Sequence, residues 1–326
     1  MTALSRRTAL AGLAATAALP MSRALAAWPE RNVTLVHGLA PGGGVDVSAR
    51  LIAEGLSRRL GQQVVVEPRP GAAGTLAAGQ MARATPDGYT LGFIPGSHAV
   101  TAATYKSLSY HPLDDFVFVG QTLDVPFLVV THAEHSIRNM PDLINLAKTR
   151  SDPLLCGVPG QGTSQHLLVE HLSRLAGIKI QPVAFRGGNL ALNELLGKRL
   201  DFLVDPPTAL LGQIKSGTLR AVAVTGLDRF RELPDIGTIA EAGFPGFSVT
   251  SWMGVVGPAK LPEAIVSRLN TEIRAIVADP AMAQRIRALG SEPASGPPEK
   301  FKALIAADIA RWTKVVADAN IERVGG

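Results

Sequence analysis

What most constrains this chain is an alternation of two hydrophobic periods that persists for most of its length. The stretch 33–38 has the composition of a strand, after which Val47, Leu51, Leu56 and Leu60 recur at helical intervals. Val64-Val65-Val66 is a second β run, 72–84 a small-residue helix and 89–94 another buried strand. The pattern resumes with strands at 127–131, 154–158, 181–185, 200–204 and 221–224. Helices are expected at 140–148, from Thr163 through Leu175, and at 190–196, with two longer ones at 262–278 and 298–318. Such a succession predicts the α/β class, doubly wound, with parallel sheets covered by helices. At 120–125 and 247–256 the chain is extended and mixed in polarity, which marks two crossings between compact units. Two crossings imply a second domain inserted in a discontinuous first one: 28–122 plus 250–326, and 123–249, with a ligand cleft between the two lobes. No internal sequence repeat accompanies this organisation.

Residues 1–26 read as an export signal rather than as part of the fold. Arg6-Arg7 precede a soft Ala/Gly/Leu stretch, and Ala24-Leu25-Ala26 has the small-x-small form of a cleavage site. The Ser5-Arg6-Arg7 start resembles a twin-arginine signal, with an ordinary secretory signal as the alternative. Losing Arg6, Arg7 and Arg23 but no acid takes the formal net charge from +5 to +2. With only 5 % aromatic residues as well, neither a nucleic-acid partner nor a base-stacking surface is expected. The single cysteine, Cys156, lies in an apolar run and reads as a buried, inert thiol. A soluble, monomeric protein of the periplasm is expected.

The unusual loops fall where an open α/β sheet binds its ligands, beyond the carboxyl ends of strands. They are 39–46 (LAPGGGVD), 95–98, 159–166 (PGQGTSQH), Arg186-Gly187-Gly188 and Asp205-Pro206-Pro207. Two of the glycine-rich loops lead into helices, whose first-turn amides and dipole form an anion site without a cationic side chain. Glycine lets a carboxylate approach the main chain. Thr163 or Ser164 can cap the second helix and offer a hydroxyl. The same glycines are also consistent with turns and caps alone. Sharper motifs are absent: Val47 and Gln165 stand where a dinucleotide fingerprint needs its last glycine, and Thr163 stands where a phosphate loop needs lysine. His166 to His171 is neither HExxH nor HxxEH, and no GxSxG or nucleophile–base set occurs. No metal, cofactor or catalytic residue is therefore expected.

Taken together, the motifs resemble the solute-binding receptors of tripartite tricarboxylate transporters, also called Bug-type receptors, over nearly the whole chain after the leader. They include Ala40-Pro41-Gly42-Gly43 with Asp46, Ala49 and Arg50, then Leu60-Gly61-Gln62 and Val64-Val65-Val66-Glu67. Arg69-Pro70-Gly71-Ala72, Pro86-Asp87-Gly88-Tyr89-Thr90-Leu91, Gly160 through His166-Leu167 and Arg268-Leu269-Asn270 follow in order. The resemblance implies a two-lobed periplasmic binding fold of type II that closes on a small organic acid or amino acid and delivers it to membrane permease subunits. It also implies that Gly162, Thr163, Ser164, Gln165 and His166 hold one carboxylate, largely through amides and hydroxyls. The loop Leu39 to Asp46, with Leu39, Ala40, Gly42, Gly43 and Asp46, would reach the ligand's far end, often through waters; Ser97, in the loop after the strand ending at Ile94, is a further candidate contact by its position alone. Asp205 matches an acid that faces the cleft in some relatives, where it would pair with an amino group; capping the Pro206-Pro207 turn is the alternative. Asp46 is expected to orient its helix rather than touch an anion, because two carboxylates repel. The chain departs from the family at His37-Gly38-Leu39, where relatives carry Val-Pro and an aromatic, so the wall beside Leu39 is smaller. A sensor with the same fold, or an exported hydrolase, is the competing reading.

Overall fold

A computed structural model describes residues 28–185 and 188–325. The expected export signal and the Arg186-Gly187 part of one loop lie outside the described residues. In chain order the elements are β1 (Val33–His37), α1 (Gly44–Leu60), β2 (Val64–Pro68), α2 (Thr75–Ala82), β3 (Thr90–Pro95), α3 (Ser97–Thr104) and β4 (Phe116–Pro126). Next come β5 (Leu128–His132), α4 (Met140–Thr149), β6 (Leu154–Val158), α5 (Ser164–Ala176), β7 (Ile180–Ala184), α6 (Gly188–Leu196), β8 (Phe202–Asp205), α7 (Pro207–Lys215) and β9 (Leu219–Val224). β10 (Thr250–Pro258), α8 (Glu263–Ala278), α9 (Pro280–Ala288), β11 (Glu292–Pro293) and α10 (Pro298–Asp318) close the chain.

The strands form two sheets, ordered β11-β4-β10-β3-β1-β2 and β7-β6-β8-β5-β9. We call the α/β unit around the first sheet lobe 1 and that around the second lobe 2. Both are mixed, not parallel as the alternation predicts. In lobe 1, β2, β1 and β3 are parallel, while β10 runs antiparallel to both β3 and β4. In lobe 2, β7, β6 and β8 are parallel, while β5 runs antiparallel to both β8 and β9. The odd strand of each sheet is the one by which the chain arrives from the other lobe. It enters at the junction and must run away from it, whereas the strands beside it end there. This geometry places the carboxyl ends of β1, β3, β6 and β8 at the lobe junction. The two lobes therefore share one plan, a repeat of topology that no sequence repeat announces.

Two further differences have local causes. The helix expected over 72–84 is broken into a 3-10 turn (Ala72–Gly74) and α2, because Ala73 is left-handed (φ 55°) between Gly71 and Gly74. Gly74 also backs onto Gly38 so closely that a Cβ on Gly38 would lie 2.4 Å from its Cα. Ser97, expected in a loop, begins α3. The crossing expected at 120–125 lies within β4, which continues to Pro126 and pairs with β10 across the junction.

Thr225, fully buried, ties both crossings together. Its Oγ1 accepts from Phe127 N–H (2.9 Å) and donates to the Val249 carbonyl (2.6 Å). Its own main chain bonds Phe127 and Val249 as well. Thr225→Val keeps the shape and orphans two buried main-chain groups, so it should cost about 2 kcal/mol of unfolding free energy in urea titration. An unchanged midpoint would mean that neither bond stabilises the fold.

Candidate functional site

The β6–α5 loop folds on itself before it can hold anything else. Gly162 is left-handed (φ +71°), which turns its N–H onto His166 Nδ1 at 3.0 Å. His166 thereby keeps its proton on Nε2, 4.0 Å from Glu170 Oε1, and burial lowers its pKa, favouring the neutral ring. Thr163 is the extended N-cap: its hydroxyl donates to the Gly160 carbonyl (2.8 Å) and accepts from His166 N–H (3.3 Å). The amides of Gly162 and His166, both expected to face ligand, are thus turned inward. Those of Thr163, Ser164 and Gln165 have no acceptor among the described residues. Three half-buried donors at the positive end of a 13-residue helix are what a carboxylate requires.

The β1–α1 loop repeats this construction with different side chains. Gly42 is left-handed (φ +76°) and donates its N–H to Asp46 Oδ2 at 2.9 Å. Gly43 is the N-cap, and Gly44 opens the helix. Asp46 and His166 occupy the same position, four residues after the left-handed glycine. Asp46 also accepts from Arg50 Nε (3.0 Å) and from His37 Nε2 (2.9 Å). The Arg50 bond leads in holding its carboxyl well below the usual carboxylate range, against the effect of burial. Asp46 is buried and fully engaged, so it orients the loop, as the charge argument expects. His37 is buried too and serves the same network. The amides of Gly44 and Val45 carry no acceptor among the described residues, and Ala40, Gly42 and Gly43 are exposed beside them.

Asp205 ends β8 next to the α5 tip. It is 5 % exposed, and its Oδ1 accepts from Gln165 Nε2 at 3.2 Å. It does not cap α7, whose N-cap is Pro206 with no side-chain bond. At the start of α6, a Cβ on Gly188 would lie 2.5 Å from Asp205 Oδ2, so any larger residue there would displace that carboxyl. Burial pushes the Asp205 pKa up to about 6, opposed by the Gln165 bond. Its unfolded value is 3.8, so the folded chain retains a proton that the unfolded chain releases between pH 4 and 6. Stability from this group is complete below pH 4 and is lost as pH rises through 6, by about 3 kcal/mol. Urea titrations at pH 4, 6 and 8 should show Asp205→Asn removing that part of the slope; a parallel profile would contradict the burial account. Asp124, held by Gln121 (2.7 Å) and Thr250 (3.4 Å) at the crossing strands, is raised to about 6 mainly by burial and contributes with the same sign.

The structure thus brings Thr163, Ser164, Gln165 and Asp205 together in lobe 2. Leu39 and Ser97 come together in lobe 1, where they line one small cavity. Among the described residues no hydrogen bond joins the two loops directly. Lobe 2 nevertheless reaches lobe 1 at Gly162, where a Cβ would lie 3.9 Å from Thr104 Cγ2. Gln161 and Gly162 share a crevice of about 310 Å³ with Thr104, Lys106 and the terminal segment 321–325. Tyr110, which lines the lobe-1 cavity, is among the residues that sequence reasoning missed, since it sits in an unpatterned stretch after α3. Cys156 is buried, and burial pushes its thiol well above the usual range.

The model of the tripartite tricarboxylate transporter family receptor, TctC, matches residues 48–321. The chain is 35 % identical over 321 residues to the UPF0065 protein in the tcbD-tcbE intergenic region of Pseudomonas sp. (strain P51), covering 98 % of this chain and 96 % of that one. Among solved structures it is similar to periplasmic binding protein BugD (33 % identity, TM-score 0.74), covering 91 % of this chain and 100 % of that one. It is also similar to an R. palustris protein solved with adipate (35 % identity, TM-score 0.78), with the same coverage.

Proposed function

The chain belongs to the TctC family of tripartite tricarboxylate transporter receptors, and from that premise we propose that it captures one small carboxylate between its lobes in the periplasm and presents it to a membrane permease. The observation that carries this reading is the α5 tip, where the Thr163, Ser164 and Gln165 amides have no acceptor among the described residues and are half-buried at the lobe junction. Carboxylate oxygens there complete the helix's open donors and meet its dipole. The matching α1 tip, with Leu39, Ala40, Gly42, Gly43 and Ser97 around it, serves the far end of the ligand. The receptor acts as a monomer and does no chemistry on what it holds; its affinity is gained by closing. Adipate in the R. palustris relative supports a small organic acid as ligand class. Asp205 extends the class to amino acids, because an ammonium beside Gln165 would compensate its buried carboxyl.

A thermal-shift screen of carboxylates, aromatic acids and amino acids tests this directly. Several charge-assisted bonds give micromolar binding, about −8 kcal/mol. At a thousandfold excess such a ligand adds about 4 kcal/mol of stability, a shift of several degrees. No response to any acid, or turnover of a bound acid by the purified protein, would sink the receptor reading.

A further inference from the structure

Beneath Leu39 and Ser97, lobe 1 holds a small chamber of about 30 Å³, room for about two water molecules. Val36, Ala77, Met81 and Ile94 contribute apolar wall, and none of the lining residues is Asp, Glu, Lys or Arg. Its one fully buried side-chain polar atom without a partner among the described residues is the Tyr110 hydroxyl. That residue is 7 % exposed, and its buried oxygen has no partner within hydrogen-bond geometry among the described residues, the nearby Thr101 hydroxyl included. The neighbouring polar groups are already engaged: Thr101 Oγ1 donates to the His98 carbonyl (3.0 Å), and His98 Nε2 bonds the Pro112 carbonyl (2.9 Å). His98 stacks on the Tyr110 ring (centroids 5.8 Å apart) and fixes its position. An unpaired buried hydroxyl is a standing cost to the folded state, which a ligand group can relieve.

We propose that this chamber is a specificity subsite that receives an uncharged, carbonyl-bearing end of the ligand, with Tyr110 Oη donating to that carbonyl. The inference rests on the carboxylate being held at the α5 tip, as proposed above. A second carboxylate in the chamber would be stripped of water against apolar walls with only neutral hydroxyls for company, whereas a ketone loses far less. Burial raises the Tyr110 pKa to about 12, with the nearby Thr101 hydroxyl opposing, so the phenol keeps the proton it donates.

The test uses calorimetric titration of wild type and Tyr110→Phe with matched acids of four to seven carbons. Each set holds the plain monocarboxylate, its (ω−1)-oxo analogue and the dicarboxylate of equal length. Wild type should bind the best oxo acid about tenfold tighter than its plain partner, a charge-free hydrogen bond's worth. Tyr110→Phe should erase that ratio, yet melt at the same temperature or higher without ligand. A ratio unchanged by the substitution, a dicarboxylate preferred by wild type, or a lower melting point for unliganded Tyr110→Phe would each overturn the subsite. Dicarboxylate preference would leave the α5 tip reading standing, whereas binding of no acid at all would remove both.

Discussion

Ser164→Pro should bind a carboxylate ligand about 10- to 100-fold more weakly than wild type while unfolding at the same urea concentration or higher. The two halves of that expectation have separate causes. Ser164 is the first residue of α5, where the main-chain N–H has no helical partner and proline's fixed φ suits the helix. Proline also demands an extended residue before it, and Thr163 already has φ −83° and ψ 164°. The fold therefore loses nothing, whereas the ligand loses one charge-assisted donor. Ser164→Ala is the control, since it removes the hydroxyl and keeps the amide. Titration of both variants with the acid found by screening separates the contributions. Equal affinity in Ser164→Pro and wild type would remove the α5 tip from the site.

Asp46→Ala should destabilise lobe 1 by about 3 kcal/mol and weaken ligand binding as well. The carboxylate is the common acceptor for Gly42 N–H, His37 Nε2 and Arg50 Nε. Without it, the buried His37 ring has no partner at Nε2, and the left-handed Gly42 turn has nothing to close on. Asp46→Asn keeps one oxygen and should fall between the two. Denaturant unfolding gives the stability, and titration with the screened acid gives the affinity. Acid has the same effect as the substitution. Because the folded pKa lies below the unfolded value of 3.8, the stabilisation is present above pH 4 and disappears as pH falls further. A variant as stable as wild type would mean that the loop is held by something other than this network.

Both predictions concern main-chain donors, and that is why the backbone of the candidate site was legible before any coordinates. A helix tip needs only a strand, a glycine turn and a helix start, all of which 33–46 and 154–166 display as residue types. The same holds for the doubly wound class and for the inert environment of Cys156. Reading failed where the outcome depended on a distant segment. The strand direction of β5 and β10 follows from which lobe the chain comes from. The break at Ala73 accompanies a close approach of Gly38 to Gly74, residues far apart in sequence.

By itself, then, the sequence determined the alternating elements and the pair of glycine-rich helix starts, because local periodicity and backbone freedom are properties of neighbouring residues. Tertiary structure alone decided which amides stay open and which are consumed. Gly162 and His166 satisfy each other, Asp46 gathers partners from β1 and α1, and Asp205 meets Gln165 rather than capping its own turn. It alone placed the Tyr110 hydroxyl, unpaired, beneath Leu39 and Ser97. Hydrogen bonds and burial depend on three-dimensional neighbours, and those are set only once both sheets have formed.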